Sequence, residues 1–196
     1  MGNSAAYPVL RTTDATAAFA QASRLRALLA ECEDEVGLFA QLRTVADLRR
    51  MAAVLPEAAF EYTGKRSGPA GEAALLGIEV TAADDPALER HLPFDLMVDV
   101  PGGGVEERFA AVLGRGTAAI SWRGMWPDDP ETGRHGSLKY DGVQVVFHGN
   151  NPQLGPPWAA DHTVHVHVDR LGDLARARKL AAHIGGQVLG GPLLGW

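Results

Sequence analysis

The stretch DHTVHVHVDR, residues 161–170, alternates polar and apolar residues in the manner of a β-strand. Successive side chains on a strand point to opposite faces, so its three valines share one face and His165 and His167 share the other. We expect the valines to be buried against helices. We expect the two imidazoles to line a solvent-accessible, concave face of a sheet.

The same strand belongs to an apparent internal repeat with a spacing of 70 residues. LMVDV (96–100) aligns with VHVDR (166–170), and GRGTAA (114–119) aligns with IGGQVL (184–189). Each copy is predicted to contain a strand, a helix, a glycine-containing turn and a second strand, although unrelated βαβ units also share this plan. The pattern predicts an α+β fold with a mostly antiparallel sheet of repeated βαβ units, ferredoxin-like or glyoxalase-like. Helices pack on one face, and an N-terminal helix covers residues 13–32.

The loop GKRSGPAG, residues 64–71, is rich in Gly, Ser and Pro and marks the expected internal boundary. It separates residues 1–64, an N-terminal helix with a βαβ unit, from residues 72–196, an α+β domain with duplicated βα units. One continuous domain is the alternative. Hydrophobic periodicity predicts further helices at 45–55, 86–91, 105–113 and 171–183. It predicts strands at 36–42, 58–63, 73–81, 94–100, 117–123, 163–169 and 187–189. Residues 137–140 and 143–148 are predicted to form a hairpin.

Composition restricts the classes of function. The chain has 196 residues and a formal charge of −6 without a basic block, which argues against nucleic acid as a partner. Cys32 is the single cysteine, so neither an intrachain disulfide nor a cysteine-based zinc site is expected. The first residues do not resemble a secretory signal, and no apolar run approaches a membrane span. These features predict a cytoplasmic protein, and the richness in Ala, Gly and Arg is typical of high-GC bacteria.

Two segments carry a family resemblance: ERFAAVLG at 107–114 and VDRLGDLARARKLAAHIGGQVLGGP at 168–192. With the strands around them, residues 94–192 resemble the vicinal oxygen chelate (glyoxalase/dioxygenase) superfamily. The resemblance implies paired βαβββ modules around a cleft, with His or Glu metal ligands on cleft-facing strands in metal-dependent members. FDLMVDV, the first strand, carries no histidine where the family often has one. On the first strand of the second module, the resemblance implies His162 or His165 as the ligand. A generic ferredoxin-like arrangement explains the same pattern.

The histidine pair is also a candidate metal or acid/base site. Two imidazoles at positions i and i+2 can reach one zinc, iron or manganese ion, but such ions usually need at least three protein ligands. His148, at the end of a preceding strand, and Asp169 complete the candidate set with His165 and His167. The remaining candidate ligands are Asp99 and His135.

Trp122, Arg123 and Trp126 form an aromatic cluster beside the acidic loop 127–131. Trp and Arg often dominate binding energies, so the cluster is a candidate ligand or partner surface. Trp126 precedes a proline and is expected to be at least partly exposed, whereas Trp122 fits core packing equally well. The glycine-rich segment VPGGGVEERF, 100–109, lacks a phosphate-loop spacing and a following Lys, which favours a flexible connection.

No catalytic signature stands out, so the leading hypothesis is a soluble, non-catalytic binding protein. It would recognise a small ligand or a partner protein through an open sheet face and the tryptophan-rich loop. The first alternative is a metal-dependent lyase or dioxygenase of glyoxalase type that uses His148, His165 and His167. The second is an immunity or enzyme-inhibitor protein whose acidity serves a basic partner. A homodimer is compatible with each hypothesis.

Overall fold

The computed structural model describes residues 3–65, 73–131 and 133–196, which fold into an antiparallel sheet of nine strands and five helices. The architecture is therefore α+β, as the sequence predicts. In chain order the elements are β1 (Ala5–Thr12), α1 (Ala15–Arg26), β2 (Glu31–Leu42), α2 (Val45–Val54), β3 (Glu61–Lys65), β4 (Ala73–Gly77), α3 (Asp85–Glu89), β5 (Phe94–Pro101), α4 (Val105–Ala111), β6 (Ala118–Met125), β7 (Gly142–Phe147), β8 (His162–Val168), α5 (Leu174–His183) and β9 (Leu193–Leu194).

The strands lie in the order β4-β3-β5-β2-β6-β7-β8-β1-β9, and each neighbouring pair is antiparallel. Because β5 and β6 are both antiparallel to β2, they run parallel to each other on either side of it, and α4 connects them. In the same way β8 and β9 flank β1, and α5 lies between them in the chain. Strands from both sides of the loop at 64–71 pair in this one sheet. Residues 66–72, which include most of that loop, lie outside the described residues, and the division into two domains stays a prediction.

One face of the sheet forms the core with the helices. The three valines of β8, Val164, Val166 and Val168, are at most 1% exposed, so their predicted burial is confirmed. They belong to the same hydrophobic cluster as Leu25 of α1 and Leu180 of α5. Burial of each valine contributes roughly 1.5–3 kcal/mol by transfer from water.

The N-terminal helix is shorter than the predicted range of 13–32. It begins after Asp14, whose carboxylate accepts a hydrogen bond from the Ala17 amide at 3.0 Å and so caps the first turn. It ends at Arg26, because the chain from Glu31 onward pairs with β6 as the start of β2. No helix in the described part of the chain has the length and hydropathy that crossing a bilayer requires.

The predicted hairpin of residues 137–140 with 143–148 is wrong. Residues 137–140 form a turn that the Tyr140 amide closes on the Ser137 carbonyl, at 3.1 Å, and β7 pairs instead with β6 and β8. The Asp141 carboxylate accepts hydrogen bonds from the amides of Trp126 and Ser137, so it anchors this turn and does not form a two-residue hairpin loop.

The predicted strand at 187–189 is absent. Its only backbone hydrogen bond to β1 joins the Leu189 amide to the Pro8 carbonyl, and Gly190 and Gly191 follow it. The strand that completes this part of the sheet is β9, a few residues later. The two copies of the repeat therefore do not share the strand–helix–strand order at a constant spacing of 70 residues. β1 was missing from the sequence prediction altogether.

Candidate functional site

His165 and His167 of β8 are completely buried, so their predicted solvent-accessible position is wrong. They do lie on the sheet face opposite the helices, as the alternation requires. A connection of residues 149–160, here called the strap, and the last residues of the chain cover that face. The strap is fixed by Gln144, whose Nε2 donates to the Pro152 carbonyl at 3.2 Å, and by Gln153, whose Nε2 donates to the Gly195 carbonyl at 2.6 Å.

His167 sits in a complete set of contacts. Its Nδ1 lies 2.9 Å from Ser4 Oγ and its Nε2 lies 3.3 Å from Gln144 Oε1. The Trp196 indole stacks on the imidazole with centroids 3.4 Å apart. The neutral tautomer that carries its proton on Nε2 accepts from Ser4 and donates to Gln144, so it satisfies both partners. Burial lowers the pKa of His167 well below its ordinary value, and it falls further because a second proton on the adjacent imidazoles of His165 and His167, or a proton beside Arg123, is electrostatically unfavourable.

His165 is held neutral by the same cover. Burial lowers its pKa to about 3, an effect that the nearby Asn150 backbone only partly offsets. Neither ring nitrogen makes a hydrogen bond of ordinary geometry within the described part of the chain. A buried imidazole without such partners is costly, because its polar atoms lose water without replacement.

The candidate metal ligands do not come together. His148 lies at the end of β7, where its amide donates to His162 Nδ1 at 3.1 Å and its ring stacks on Trp158. Asp169 accepts from the Leu171 amide and closes a turn after β8. His135 is exposed, with Nδ1 3.0 Å from Asp128 Oδ2. Residues 3–65, 73–131 and 133–196 contain no group of three or more His, Cys, Asp or Glu that fits a metal ion. The residues present therefore do not fit the divalent metal that the resemblance implies.

The aromatic cluster is mostly core. Trp126 is 1% exposed, so the prediction that it is partly exposed is wrong. Its Nε1 donates to the His167 carbonyl at 2.8 Å, which satisfies the indole inside the core. Trp122 is also buried, with Nε1 3.2 Å from Glu106 Oε1. Of the three predicted residues only Arg123 reaches solvent, and its guanidinium lies 5.8 Å from the centroid of the Trp196 ring.

The glycine-rich connection at the start of α4 is filled by the chain itself. Glu106 Oε2 accepts from the amides of Gly103 and Gly104 at 3.1 and 3.0 Å. Burial raises the pKa of Glu106, but these amides and the Trp122 indole outweigh it and hold the pKa below its ordinary value. Because a carboxylate of the chain occupies these donors, the segment offers no phosphate site.

The uncovered part of the same sheet face forms a groove, here called the open-face groove. It lies over β5, β2 and β6, is bounded by the strap and has a volume of about 370 Å³. Gly37 stands at its centre, in register with Asp99 on β5 and with Ser121 on β6. Phe39 and Met97 supply apolar surface, and Met97 is 77% exposed.

The rim of the groove is mainly acidic. Glu33 and Glu35 approach it from β2 and Asp99 from β5, whereas Arg123 is the only basic residue that lines it within the described part of the chain. Farther along β5, burial raises the pKa of Asp95 and the neighbouring Glu61 adds to the rise, while Gln41 opposes it.

No protein-family model matches this chain. Neither a curated protein nor a solved structure matches it either.

Few residues of the groove are predicted from the sequence. Arg123 is predicted there as a member of an aromatic cluster, and Asp99 as a candidate metal ligand. Glu33 and Glu35 were missed because the predicted strand began at Val36. The signal was available: in ECEDEVGLF, residues 31–39, every second residue belongs to one face, and those residues include Glu33, Glu35, Gly37 and Phe39.

Proposed function

We propose that this chain is a non-catalytic binding protein that receives a ligand or a partner protein in the open-face groove. The observation that carries the proposal is the contrast between two parts of one sheet face. Over β7, β8 and β1 the face is sealed by the strap and even its histidines are buried, whereas over β5 and β2 it leaves Met97 77% exposed beside a groove of about 370 Å³. Exposed apolar surface in a polar rim is typical of interaction sites.

The composition of the groove favours binding over catalysis. Its lining includes carboxylates, amides, one arginine and one hydroxyl, from Ser121, but within the described residues it includes no histidine or cysteine. A nucleophile paired with a general base is therefore not assembled there. The hydrogen-bonded pair of Ser4 and His167 is buried beneath Trp196, away from solvent.

The strand order supports a more specific architecture for this binding protein, a pair of nested ferredoxin-like units. The first unit consists of two βαβ segments, β2-α2-β3 and β5-α4-β6, whose strands lie in the order β3-β5-β2-β6. Strand β4, which forms a hairpin with β3, and helix α3 are additions to this unit. In the second, β1-α1-β7 and β8-α5-β9 give β7-β8-β1-β9. Both follow the βαββαβ plan, in which a central strand separates two parallel ones. The first unit is inserted between α1 and β7 of the second.

The binding role can be tested by NMR. Isotope-labelled protein is mixed with a library of small fragments and short peptides, and amide shifts are mapped for each. Binders are expected to shift the amides of Gly37, Met97, Asp99 and Ser121. Perturbations that cluster consistently elsewhere, or an absence of binders from the whole library, would contradict the proposal.

A groove-filling variant provides the control. Gly37→Val adds a branched side chain at the centre of the groove, where a Cβ would meet the flexible Asp99 carboxylate at 3.1 Å. We expect it to abolish the shifts and to keep the fold, since valine favours strands. Thr63→Val, an equally conservative change on β3 outside the groove, should leave binding intact.

A further inference from the structure

We propose, on the basis of the binding role above, that the occupant of the open-face groove is a protein segment that inserts a basic side chain between Glu35 and Asp99. The two carboxylates approach the groove from adjacent strands, β2 and β5. Gly37, which is paired with Asp99, has no side chain to occupy the space between them. Asp99 Oδ1 lies 3.1 Å from the position that a Cβ on Gly37 would take, so the carboxylate leans over the glycine.

Charge complementarity identifies the chemistry of this partner. Within the described part of the chain, Glu33, Glu35 and Asp99 form no salt bridge, although eight salt bridges occur elsewhere in it. Arg123 lies on β6, the strand next to Glu33 and Glu35 on β2, but its guanidinium lies over the Trp196 ring and forms none of these salt bridges. A guanidinium or ammonium group that enters the groove would gain the attraction of carboxylates that have no salt-bridge partner in the described part of the chain. The formal charge of −6 adds long-range attraction for a basic partner.

The apolar surface of the groove favours a long basic side chain on a protein over a free cation. Met97, 77% exposed, and Phe39 lie beside the carboxylates and can pack against the aliphatic stem of Arg or Lys. Small-molecule sites usually bury most of their ligand. This groove is open to solvent along the sheet, which suits an extended segment whose remaining residues continue over the surface.

Three capped pentapeptides test this inference. They have the form acetyl-Gly-Leu-X-Leu-Gly-amide, where X is Arg, its neutral isostere citrulline, or Glu. Each is titrated into isotope-labelled full-length protein while the amide shifts of Gly37, Asp99 and Ser121 are followed. We expect saturable shifts with the Arg peptide alone, and weaker binding as NaCl rises from about 50 to about 500 mM, because salt screens exposed charges.

Matched variants connect the binding to the two carboxylates. Glu35→Gln with Asp99→Asn keeps the shape of both side chains and should lower the affinity for the Arg peptide about tenfold. Glu89→Gln with Glu107→Gln also removes two charges, from exposed positions on α3 and α4, and should leave the affinity within about twofold of the wild type. The amide spectrum and thermal midpoint of each variant establish that it is folded.

The other outcomes separate this inference from the general binding role. Equal binding of the citrulline peptide would overturn the basic partner and leave the binding role intact. Equal shifts with free arginine amide would identify a small cation as the occupant, and shifts that depend on protein concentration without peptide would identify a second copy of the chain. Absence of binding by all three peptides at about 5 mM would also overturn the inference. The fragment library then decides the binding role on its own.

Discussion

The indole of Trp196 lies flat on the imidazole of His167, with ring centroids 3.4 Å apart and planes 10° apart. This contact joins the C-terminal residues to β8 and separates the buried histidines from the open-face groove. It also supplies the surface over which the Arg123 guanidinium lies. The Trp196 side chain therefore covers the sealed part of the sheet face and also lines the open-face groove.

Replacing Trp196 with Ala should uncover His167. We expect the free energy of unfolding to fall by about 2 kcal/mol, because a partly buried indole and its stacking are lost. The pKa of His167 should rise toward its ordinary value, since water then reaches the ring. Urea denaturation and histidine NMR titration measure the two effects. Leu75→Ala, at a residue of β4 that is 60% exposed, is the control, and an unchanged pKa of His167 in Trp196→Ala would contradict the role of the indole as its cover.

The buried imidazole of His165 should make the protein sensitive to acid. Its folded-state pKa is about 3, whereas the unfolded chain binds a proton near pH 6.5. Stability is therefore lost as the pH falls below about 6.5, by about 2 kcal/mol at pH 5 from this residue alone. His167 acts in the same direction. His165→Phe should flatten the stability profile between pH 7 and pH 5 by that amount in urea denaturation.

The exposed His183 provides the matched control for this experiment, because His183→Gln removes a histidine from the surface of α5. It should keep the wild-type dependence of stability on pH. A His165→Phe variant with the wild-type dependence would mean that the imidazole is hydrated in solution.

Asp141 should oppose this acid sensitivity. Burial raises its folded-state pKa to about 6, although hydrogen bonds from Ser137 and Trp126 and the charge of Arg176 oppose the rise. The folded state then binds a proton more tightly than the unfolded state, so this residue adds stability as the pH falls from about 6 toward 4. Asp141→Asn removes the contribution and should make stability fall more steeply over that range. A shallower slope in urea denaturation at pH 6 and pH 4.5 would show that the sign is wrong.

Trp126 should behave as a core residue and not as a binding residue. Its replacement by Ala removes a buried indole and leaves the His167 carbonyl without its donor, so we expect a loss of about 3–5 kcal/mol. Differential scanning calorimetry measures the loss. A variant with nearly wild-type stability would mean that the indole is not packed between the sheet and α5.

The alternation of DHTVHVHVDR was sufficient to place β8 and its buried valines, because a period of two defines both faces of a strand. It could not reveal the burial of His165 and His167. The strap that covers them is an irregular connection, and the C-terminal residues reach them from a distant part of the sequence, so neither carries a periodic pattern. The predicted exposure of Trp126 is wrong for a related reason. The proline that follows Trp126 suggests a loop at the surface, but a carbonyl on β8, distant in sequence, accepts the indole hydrogen bond inside the core.

The pairing of β1 with β8 determines when this sheet can be completed. Ser4 and His167 are in contact although 163 residues separate them in the chain. During synthesis β1 leaves the ribosome before β2 through β7, and its partner β8 emerges only after them. Contacts of such high sequence separation slow folding, because the entropy of closing a long loop is lost before the contact forms. We therefore expect the first strand to join last, and a nascent chain that ends before residue 162 to leave β1 exposed to chaperones or proteases.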